Sequence, residues 1–204
     1  MKNNSNIKKY KILSHVYDSI MGIKIFRTAR KKAISLLPLK SNDEILLVGV
    51  GTGEDLQFLP ENVLITGIDL SNDMLKVANK KINCKNVNLL QMNAEDLEFS
   101  DKTFNCVILN LILSVAENPK DVMKEALRVL TDDGIILIFD KFLENNKPSF
   151  IRSLLNIITS SIGTDINRNL DDILYGLPLV IIREENSILN GNYKIILVKK
   201  VVGK

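Results

Sequence analysis

The sequence predicts an α/β fold in which helices cover both faces of a mostly parallel β-sheet. Five apolar runs of strand length alternate with helical segments, and these runs cover residues 45–48, 63–68, 87–92, 104–109 and 135–139. Uninterrupted apolar strands are typically buried on both faces, and strands that alternate with helices form parallel sheets with right-handed crossovers. With 204 residues, 46% of them hydrophobic, the chain is long enough for one domain with its own core. We therefore expect a single domain over residues 1–204, built on a doubly wound sheet.

The first 40 residues are predicted to form a basic helical cap. They contain ten lysine and arginine residues and a single acid, Asp18, whereas residues 41–204 carry more acids than bases. Apolar residues recur at helical spacing over 7–21, and a second helix runs toward Leu37 and ends before Pro38. A basic end on an acidic body favours an anionic partner, either an anionic membrane or a nucleic acid, although a solvated helix face explains the charges equally well.

Three helices are predicted within the core, residues 41–140. One follows Gly53, one covers residues 71–82, and one begins at Asn118 and Pro119, which suit an N-cap and a first helical position. Residues 141–204 are predicted to form a lid insert, with an apolar helix face over 150–158, and two strands over 179–182 and 193–198. Asn190-Gly191 between these two strands is a hairpin signal, so we expect the sheet to end with an antiparallel C-terminal strand.

Composition disfavours several classes of protein. No apolar run reaches the roughly 18–20 residues that cross a bilayer. Two cysteines, Cys84 and Cys106, cannot form a disulfide framework, and a chain whose one histidine is His15 cannot assemble a zinc cluster. The N-terminal segment lacks the continuous apolar stretch of a secretory signal. We expect a cytoplasmic protein that can contact the inner face of the membrane peripherally.

The most informative segment is a glycine-rich turn after the first strand, Gly49-Val50-Gly51-Thr52-Gly53. Such a turn lets the backbone approach a ligand closely, since glycine has no Cβ and tolerates positive φ. A dinucleotide-binding turn needs its third glycine at position 54, but Glu54 is there and would meet a pyrophosphate with a carboxylate. The turn therefore favours a nucleoside without phosphates.

Polar residues also follow the second and third strands. Asp69 ends the second strand, 20 residues after Gly49, where a carboxylate can accept hydrogen bonds from both ribose hydroxyls. Asn93-Ala94-Glu95 follows the third strand, where a polar side chain and a backbone N–H can bind the edge of an adenine. Each feature alone is a weak signal, but the three occur in order on consecutive strand ends and together predict a nucleoside site.

These motifs resemble those of the class I S-adenosylmethionine-dependent methyltransferases over roughly residues 41–140. Residues 104–109 also resemble the Phe-Asp-x-Val motif on the fourth strand of that family. The resemblance implies a Rossmann-like fold and S-adenosylmethionine as the cofactor. It also implies a set of cofactor-binding residues, namely Gly49, Gly51, Thr52, Gly53, Asp69, Leu70, Asn93, Ala94 and Asn110. Tyr17-Asp18, Leu113-Ser114-Val115 and residues 27–32 look like the bacterial phospholipid N-methyltransferases and their quinone C-methyltransferase (type 11) relatives.

Two positions depart from the family pattern. The family has an acid two residues before the first glycine, where it orients the amine of the methionine moiety, and this chain has Leu47 there. Asn93 replaces the usual aspartate, which keeps an acceptor for the adenine amino group but removes the charge. Both changes are expected to weaken cofactor binding, and we hypothesise that Asp55 partly compensates for Leu47.

The resemblance implies a methyltransferase that acts on a small-molecule or lipid-like acceptor, with a phospholipid amine as one candidate. Methyl transfer from a sulfonium depends on positioning and exclusion of water more than on a strong base. Tyr17 is the candidate catalytic residue, because its phenol would close the site if the first helix folds over the cofactor; a core aromatic explains the same spacing. Asp18 and Asp140 are candidate partners for an amine acceptor.

Two other functions stay open. Leu47 and Asn93 also suit a regulatory module that binds S-adenosylmethionine or S-adenosylhomocysteine without catalysis. Methylation of RNA or DNA is disfavoured, because Asn110-Leu111-Ile112-Leu113 stands where enzymes that methylate base amino groups have Asn/Asp-Pro-Pro-aromatic. The sequence specifies no oligomeric state.

Overall fold

The computed structural model describes residues 24–82, 86–142, 168–188 and 191–201. Its centre is a seven-stranded sheet with the strand order β3-β2-β1-β4-β5-β7-β6. The strands are β1 Glu44–Val48, β2 Leu64–Asp69, β3 Val87–Gln91, β4 Phe104–Asn110, β5 Leu130–Lys141, β6 Leu179–Asn186 and β7 Tyr193–Lys200. Strands β1 to β5 pair in parallel, and β7 runs antiparallel to both of its neighbours. This arrangement confirms the predicted doubly wound sheet and its antiparallel C-terminal strand.

The described helices are α1 Lys24–Ser35, α2 Asn72–Asn79, α3 Pro119–Val129 and α4 Leu170–Leu174, of which α4 was not predicted. The helix predicted after Gly53 is wrong in extent, since only a three-residue 3-10 helix, Leu56–Phe58, forms there. The cause is Pro60, because a residue before proline avoids helical backbone angles, and Leu59 has ψ 146°. The first predicted helix, over 7–21, and the apolar face over 150–158 lie outside the described residues.

The helix starts follow the predicted capping residues only in part. Ser71 caps α2 in the usual way, because its hydroxyl accepts a hydrogen bond from the N–H of Met74 at 3.4 Å. Asn118 stands at the N-cap of α3, but its amide nitrogen donates to the Asp121 carboxylate and its side chain makes no capping bond. Pro119 at the first helical position, which has no N–H to satisfy, is consistent with the start of α3.

The two faces of the sheet carry separate apolar cores. Helices α1 and α2 contribute Ala33, Ile34 and Leu75 to one core, which continues into Ile45 and Ile108 of the sheet. Helices α3 and α4 contribute to the other, whose buried members include Val122, Met123, Ile173, Leu46 and Ile138. Side chains of successive strand residues point to opposite faces, so the continuous apolar runs supply both cores at once. Within the described residues, no helix is both long enough and apolar enough to cross a membrane.

Arg128 fixes the segment that follows β3 to helix α3. Its guanidinium donates to the carbonyl oxygens of Leu97 and Phe99 at 2.8 and 2.7 Å, to Asp101 at 2.8 Å, and to both carboxylate oxygens of Glu125 at 2.8 and 2.9 Å. These bonds hold the pKa of Glu125 below its ordinary value. A planar guanidinium with five N–H donors is the side chain best able to bind so many acceptors at once.

Candidate functional site

A cavity opens at the carboxyl ends of β1, β2, β3 and β4. Ligands of open α/β sheets bind at this edge, beside the point where the strand order reverses, and here that point lies between β1 and β4. Eight of the nine residues predicted to bind the cofactor line the cavity, namely Gly49, Gly51, Thr52, Asp69, Leu70, Asn93, Ala94 and Asn110. The remaining one, Gly53, is not among the lining residues.

The three glycines of the turn serve different purposes. All have positive φ, with values of 70°, 55° and 82° for Gly49, Gly51 and Gly53. A Cβ at Gly49 would lie 2.8 Å from Ile112 Cδ1, and a Cβ at Gly53 would lie 3.2 Å from the Cα of Ala78 in α2. A Cβ at Gly51 would meet nothing closer than the Gly49 carbonyl oxygen at 4.0 Å. Gly53 therefore allows the turn to pack on α2, whereas Gly51 leaves open space for a ligand.

Asp69 joins the glycine turn to the start of α2. Its Oδ2 accepts a hydrogen bond from the N–H of Gly51 at 2.8 Å, and its Oδ1 accepts one from the N–H of Ser71 at 2.8 Å. Burial raises the pKa of Asp69 above its ordinary value, and the two N–H donors act in the opposite direction. A carboxylate has about four lone-pair sites, so each oxygen retains capacity to accept a hydroxyl. This is the arrangement that binding of two ribose hydroxyls requires.

The segment after β3 is braced by its own polar side chains. The Asn93 Oδ1 accepts a hydrogen bond from the N–H of Glu95 at 3.1 Å, so the expected adenine acceptor also stabilises its own turn. The Glu95 Oε1 accepts from the N–H groups of Glu117 and Asn118 at 2.7 and 3.0 Å. These bonds tie the segment after β3 to the segment after β4 across the mouth of the cavity.

Asn110 at the end of β4 has a buried amide with unused hydrogen-bonding capacity. It is 5% exposed, and neither its Nδ2 nor its Oδ1 has a hydrogen-bond partner within the described chain. A buried amide without partners costs about 1–3 kcal/mol, so such a group beside a cavity is a candidate for binding a polar ligand. The next residue, Leu111, has φ 61°, which costs a non-glycine residue roughly 1–2 kcal/mol. Backbone strain of this kind is concentrated at functional sites.

Much of the remaining lining is apolar and was not predicted from the sequence. It includes Ile68, Met74, Met92, Leu111, Ile112, Val115 and Ala116, in addition to the charged Arg30 and Glu54. The residues after β4 belong to a loop, where neither a helical nor a strand period indicates which side chains turn inward. Their position directly after β4 was the signal that could have identified these residues, because loops at the carboxyl ends of the strands form the ligand sites of open α/β sheets.

Two ion pairs flank the glycine turn. Arg30 of α1 donates from Nη1 to Asp55 Oδ2 at 2.6 Å, and the two side chains are 7% and 5% exposed. Glu54 accepts from Lys81 at 2.6 Å on the other side of the turn. The structure gives Asp55 the Arg30 guanidinium as a partner and does not place it among the cavity-lining residues, and its compensation for Leu47 stays a hypothesis. Leu47 is 2% exposed and packs in the core.

One of the two acceptor-binding candidates, Asp140, is not brought to the cavity. Asp140 is fully buried, and it accepts hydrogen bonds from the N–H groups of Ser114 and Lys141 at 3.0 and 2.8 Å. Burial raises the pKa of Asp140, and the side chain does not line the cavity. Its role is to fix the loop after β4. Tyr17 and Asp18 lie outside the described residues.

Comparison with known proteins finds methyltransferases to which this chain is similar. A sequence model described as a methyltransferase domain matches residues 46–138. A phosphatidylethanolamine N-methyltransferase of Cereibacter sphaeroides is 32% identical over 137 residues, which cover 65% of this chain and 66% of that protein. A demethylmenaquinone methyltransferase of Listeria welshimeri is 29% identical over 143 residues, which cover 65% of this chain and 61% of that protein. The match thus falls just short of two thirds of either relative's length.

Solved structures extend the likeness beyond the residues that the family match covers. A chain from a complex of the Haloferax volcanii Trm112 methyltransferase activator superimposes with a TM-score of 0.77, and the match covers 97% of both chains. The sequence identity in that comparison is 16%, so it supports the fold alone.

Proposed function

We propose that the chain is a class I S-adenosylmethionine-dependent methyltransferase and that it transfers the methyl group to the amine of a lipid-like acceptor such as a phospholipid. One observation carries the proposal: Gly51, Asp69, Asn93 and Asn110, from four strand ends, line a single cavity. The acceptor class is supported by the relatives whose names specify a phospholipid and a quinone, both of them amphiphiles.

The residues present fit the cofactor. Open space at Gly51 admits a ligand against the backbone, and Asp69 retains acceptor capacity for the ribose hydroxyls. Asn93 and Ala94 would hold the adenine, and Asn110 would give its buried amide a polar partner. When bound, S-adenosylmethionine supplies a methyl group on a sulfonium, which already carries its leaving group.

The contribution of the protein is positioning and exclusion of water. Leu111, Ile112, Val115 and Ala116 form an apolar wall on the β4 side of the cavity, next to the polar residues that would bind the nucleoside. Holding donor and acceptor together in such a site lowers the barrier by up to about 7–11 kcal/mol in the best intramolecular models. A charged methyl donor is also more reactive where water does not solvate it. In the transfer, the amine lone pair would form the new N–CH3 bond as the S–CH3 bond breaks, the sulfonium would leave as a neutral thioether, and the amine would give up one proton to water.

The basic segment supports contact with a membrane surface. Residues 1–40 carry ten basic side chains, and α1 turns Lys24, Lys31 and the 43% exposed Ile25 to solvent. Basic side chains near an anionic membrane surface contribute about 1 kcal/mol each, and an exposed apolar residue among them can insert into the interface. Such contact would bring the cavity close to a lipid headgroup.

The test is methyl transfer from labelled S-adenosylmethionine to vesicles. Vesicles of phosphatidylethanolamine with phosphatidylglycerol are expected to gain label, whereas phosphatidylglycerol alone is expected to gain none because it has no amine. Asp69→Asn is expected to reduce transfer by at least about tenfold, because an amide cannot accept from both backbone N–H groups and both ribose hydroxyls. Asp73→Asn, an exposed aspartate that pairs with Lys76 on the same helix, is the matched control and is expected to retain activity.

A binding module without catalysis is the second candidate, and Leu47 and Asn93 favour it because they remove two expected acids from the cofactor site. The same experiment separates the two functions. Tight binding of S-adenosylmethionine with no label in lipid, quinone, protein or RNA would favour the module and contradict the proposed transfer.

A further inference from the structure

Strand β6 forms one edge of the sheet and exposes branched apolar side chains in its first half. Val180, Ile181 and Ile182 are 47%, 38% and 48% exposed. They are three of the seven large hydrophobic residues that are exposed in the part of the chain that the structure describes. We propose that this half of the strand, residues 179–182, pairs with the same segment of a second copy of the chain, so that the protein forms a dimer. We call these four residues the β6 edge.

The opposite edge of the sheet does not expose apolar side chains in this way. Strand β3 ends the sheet on the other side, and its two exposed residues, Asn88 and Gln91, are polar. Within the described residues, no strand pairs with the outer side of β6. An exposed apolar edge with unpaired backbone groups is a template for pairing with another chain, and proteins usually protect such edges with charges, proline or very short strands. The β6 edge therefore has both the backbone groups and the side chains that pairing requires.

The charged second half of β6 is neutralised within one copy. Arg183 pairs with Glu185, and Glu185 also pairs with Lys32 of α1 at 2.7 Å. Glu184 pairs with Lys194 of β7 at 2.7 Å. Each of these strand charges has a partner of opposite sign in its own chain, so the approach of a second copy brings little like-charge repulsion. Charge thus favours a second copy as the occupant of the β6 edge.

A bulge confines the pairing to the apolar half of the strand. The register of β6 against β7 shifts between Ile181 and Arg183. A bulge bends the strand that contains it, so one straight neighbour cannot follow the segments on both sides of the bulge. The segment before the bulge is the β6 edge, and a strand that pairs there meets its apolar residues only.

The symmetry of two identical strands fixes the register further. When two copies pair in an antiparallel manner about a two-fold axis, residues opposite each other lie on the same face of the sheet, and one residue lies opposite itself. With Ile181 at this centre, Val180 of each copy lies opposite Ile182 of the other. All three exposed residues then face an exposed apolar residue. An unrelated strand has no reason to match them in this way.

The contact closes at two copies and leaves the cavity accessible. It joins two seven-stranded sheets and uses the β6 edge of both, so this contact cannot add a third copy. Strand β6 runs in the same direction as β1 to β5, because β7 is antiparallel to both of its neighbours. Antiparallel pairing therefore directs the two cavities toward opposite ends of the dimer. No residue of β6 is among the described residues that line the cavity, so the inference does not depend on the proposed function.

Sedimentation velocity on the full chain measures the association. Concentrations from about 1 to 100 μM are suitable, because contacts of modest area dissociate in this range, and the wild type is expected to shift from monomer to dimer. Ile181→Lys places like charges directly opposite each other at the two-fold axis and should raise the dissociation constant at least about tenfold. The matched control is Leu64→Lys, at a residue that is 39% exposed at the start of β2, and it is expected to leave the dimer unchanged.

Mixing two variants tests the register and guards against loss of folding. Val180→Glu and Ile182→Lys should each weaken the dimer, and an equimolar mixture of the two should restore it, because the introduced charges lie opposite each other across the contact. A mixture of Val180→Glu with Ile181→Lys should not restore it, because neighbouring positions of a strand point to different faces. A monomeric wild type over the whole range would overturn the proposal, as would a dimer that Ile181→Lys leaves intact. Assemblies of more than two copies, or the same result in both mixtures, would also contradict it.

Discussion

Replacing Gly51 and Gly53 by alanine should separate ligand binding from stability within one turn. Both glycines have positive φ, 55° and 82°, so alanine at either site carries a similar backbone strain of roughly 1–2 kcal/mol. The two sites differ in what the new methyl group would meet. At Gly53 it would lie 3.2 Å from the Cα and Cβ of Ala78, whereas at Gly51 nothing lies closer than 4.0 Å.

The expected costs follow from these distances. Ala78 lies in the last turn of α2 and is fully buried, so its backbone cannot move aside as the tip of a flexible side chain can. Overpacking a rigid site typically adds about 1–3 kcal/mol, so we expect Gly53→Ala to lose about 2–5 kcal/mol of unfolding free energy and Gly51→Ala about 1–2 kcal/mol. The methyl group at position 51 occupies space that lines the cavity, so the affinity for S-adenosylhomocysteine should fall by at least about tenfold, or 1.4 kcal/mol.

Urea denaturation and calorimetry on the two variants measure both effects. The account predicts opposite rankings: Gly53→Ala is the less stable protein, and Gly51→Ala is the weaker binder at a temperature where both are folded. Equal loss of affinity in the two variants would contradict the separation, because it would mean that the turn acts only through its overall conformation. A Gly51→Ala variant with unchanged affinity would refute the placement of the ligand against this turn.

Three further predictions concern single side chains of the site and its supports. Asn110→Leu removes an amide that has no partner within the described chain, so the free energy of unfolding should stay level or rise by up to about 1–3 kcal/mol. The affinity for S-adenosylhomocysteine should fall at the same time. Denaturation and calorimetry on the same variant measure both effects, and a large loss of stability would contradict the prediction. Glu95→Ala removes the acceptor of two backbone N–H groups and should lower the free energy of unfolding by about 1–2 kcal/mol. Glu95→Gln keeps an amide oxygen for these N–H groups and should lower it by less. Urea midpoints measure both variants, and equal losses would contradict the prediction. The Glu125 pKa is lowered by Arg128, so this carboxylate stabilises the fold above its unfolded pKa of about 4.3, and the contribution disappears as the pH falls through the folded pKa. Glu125→Gln should therefore flatten the acid side of the plot of unfolding free energy against pH. An unchanged acid slope would contradict this prediction.

The sheet was predictable from the sequence because its strands are apolar on both faces. The runs over 45–48 and 104–109 lie within a residue of β1 and β4, since burial on both faces leaves Asn105 as their one polar residue. Predictions that depended on local backbone signals were less complete. Leu59 before Pro60 reduces the expected helix after the turn to three residues, and α4 is too short for a helical period to be visible.

The candidate site was predictable where the residue itself is unusual for its position. Gly51 and Asp69 are of this kind, because glycine at positive φ and an acid at a buried strand end are rarely there for packing. Arg30 was named only among the ten charges of the basic segment and within the run 27–32, since sequence cannot show that this arginine is buried against Asp55 while Lys31 and Lys32 beside it are exposed. The apolar residues after β4 were missed for the related reason that a loop has no period.

The most direct test of the central claim is a crystal structure of the protein with S-adenosylhomocysteine. We expect ribose hydroxyls on the Asp69 carboxylate, adenine beside Asn93 and Ala94, and the backbone at Gly51 in contact with the ligand. A nucleoside bound at any other place on the molecule, or in this cavity with its ribose directed away from Asp69, would contradict the assignment of the site.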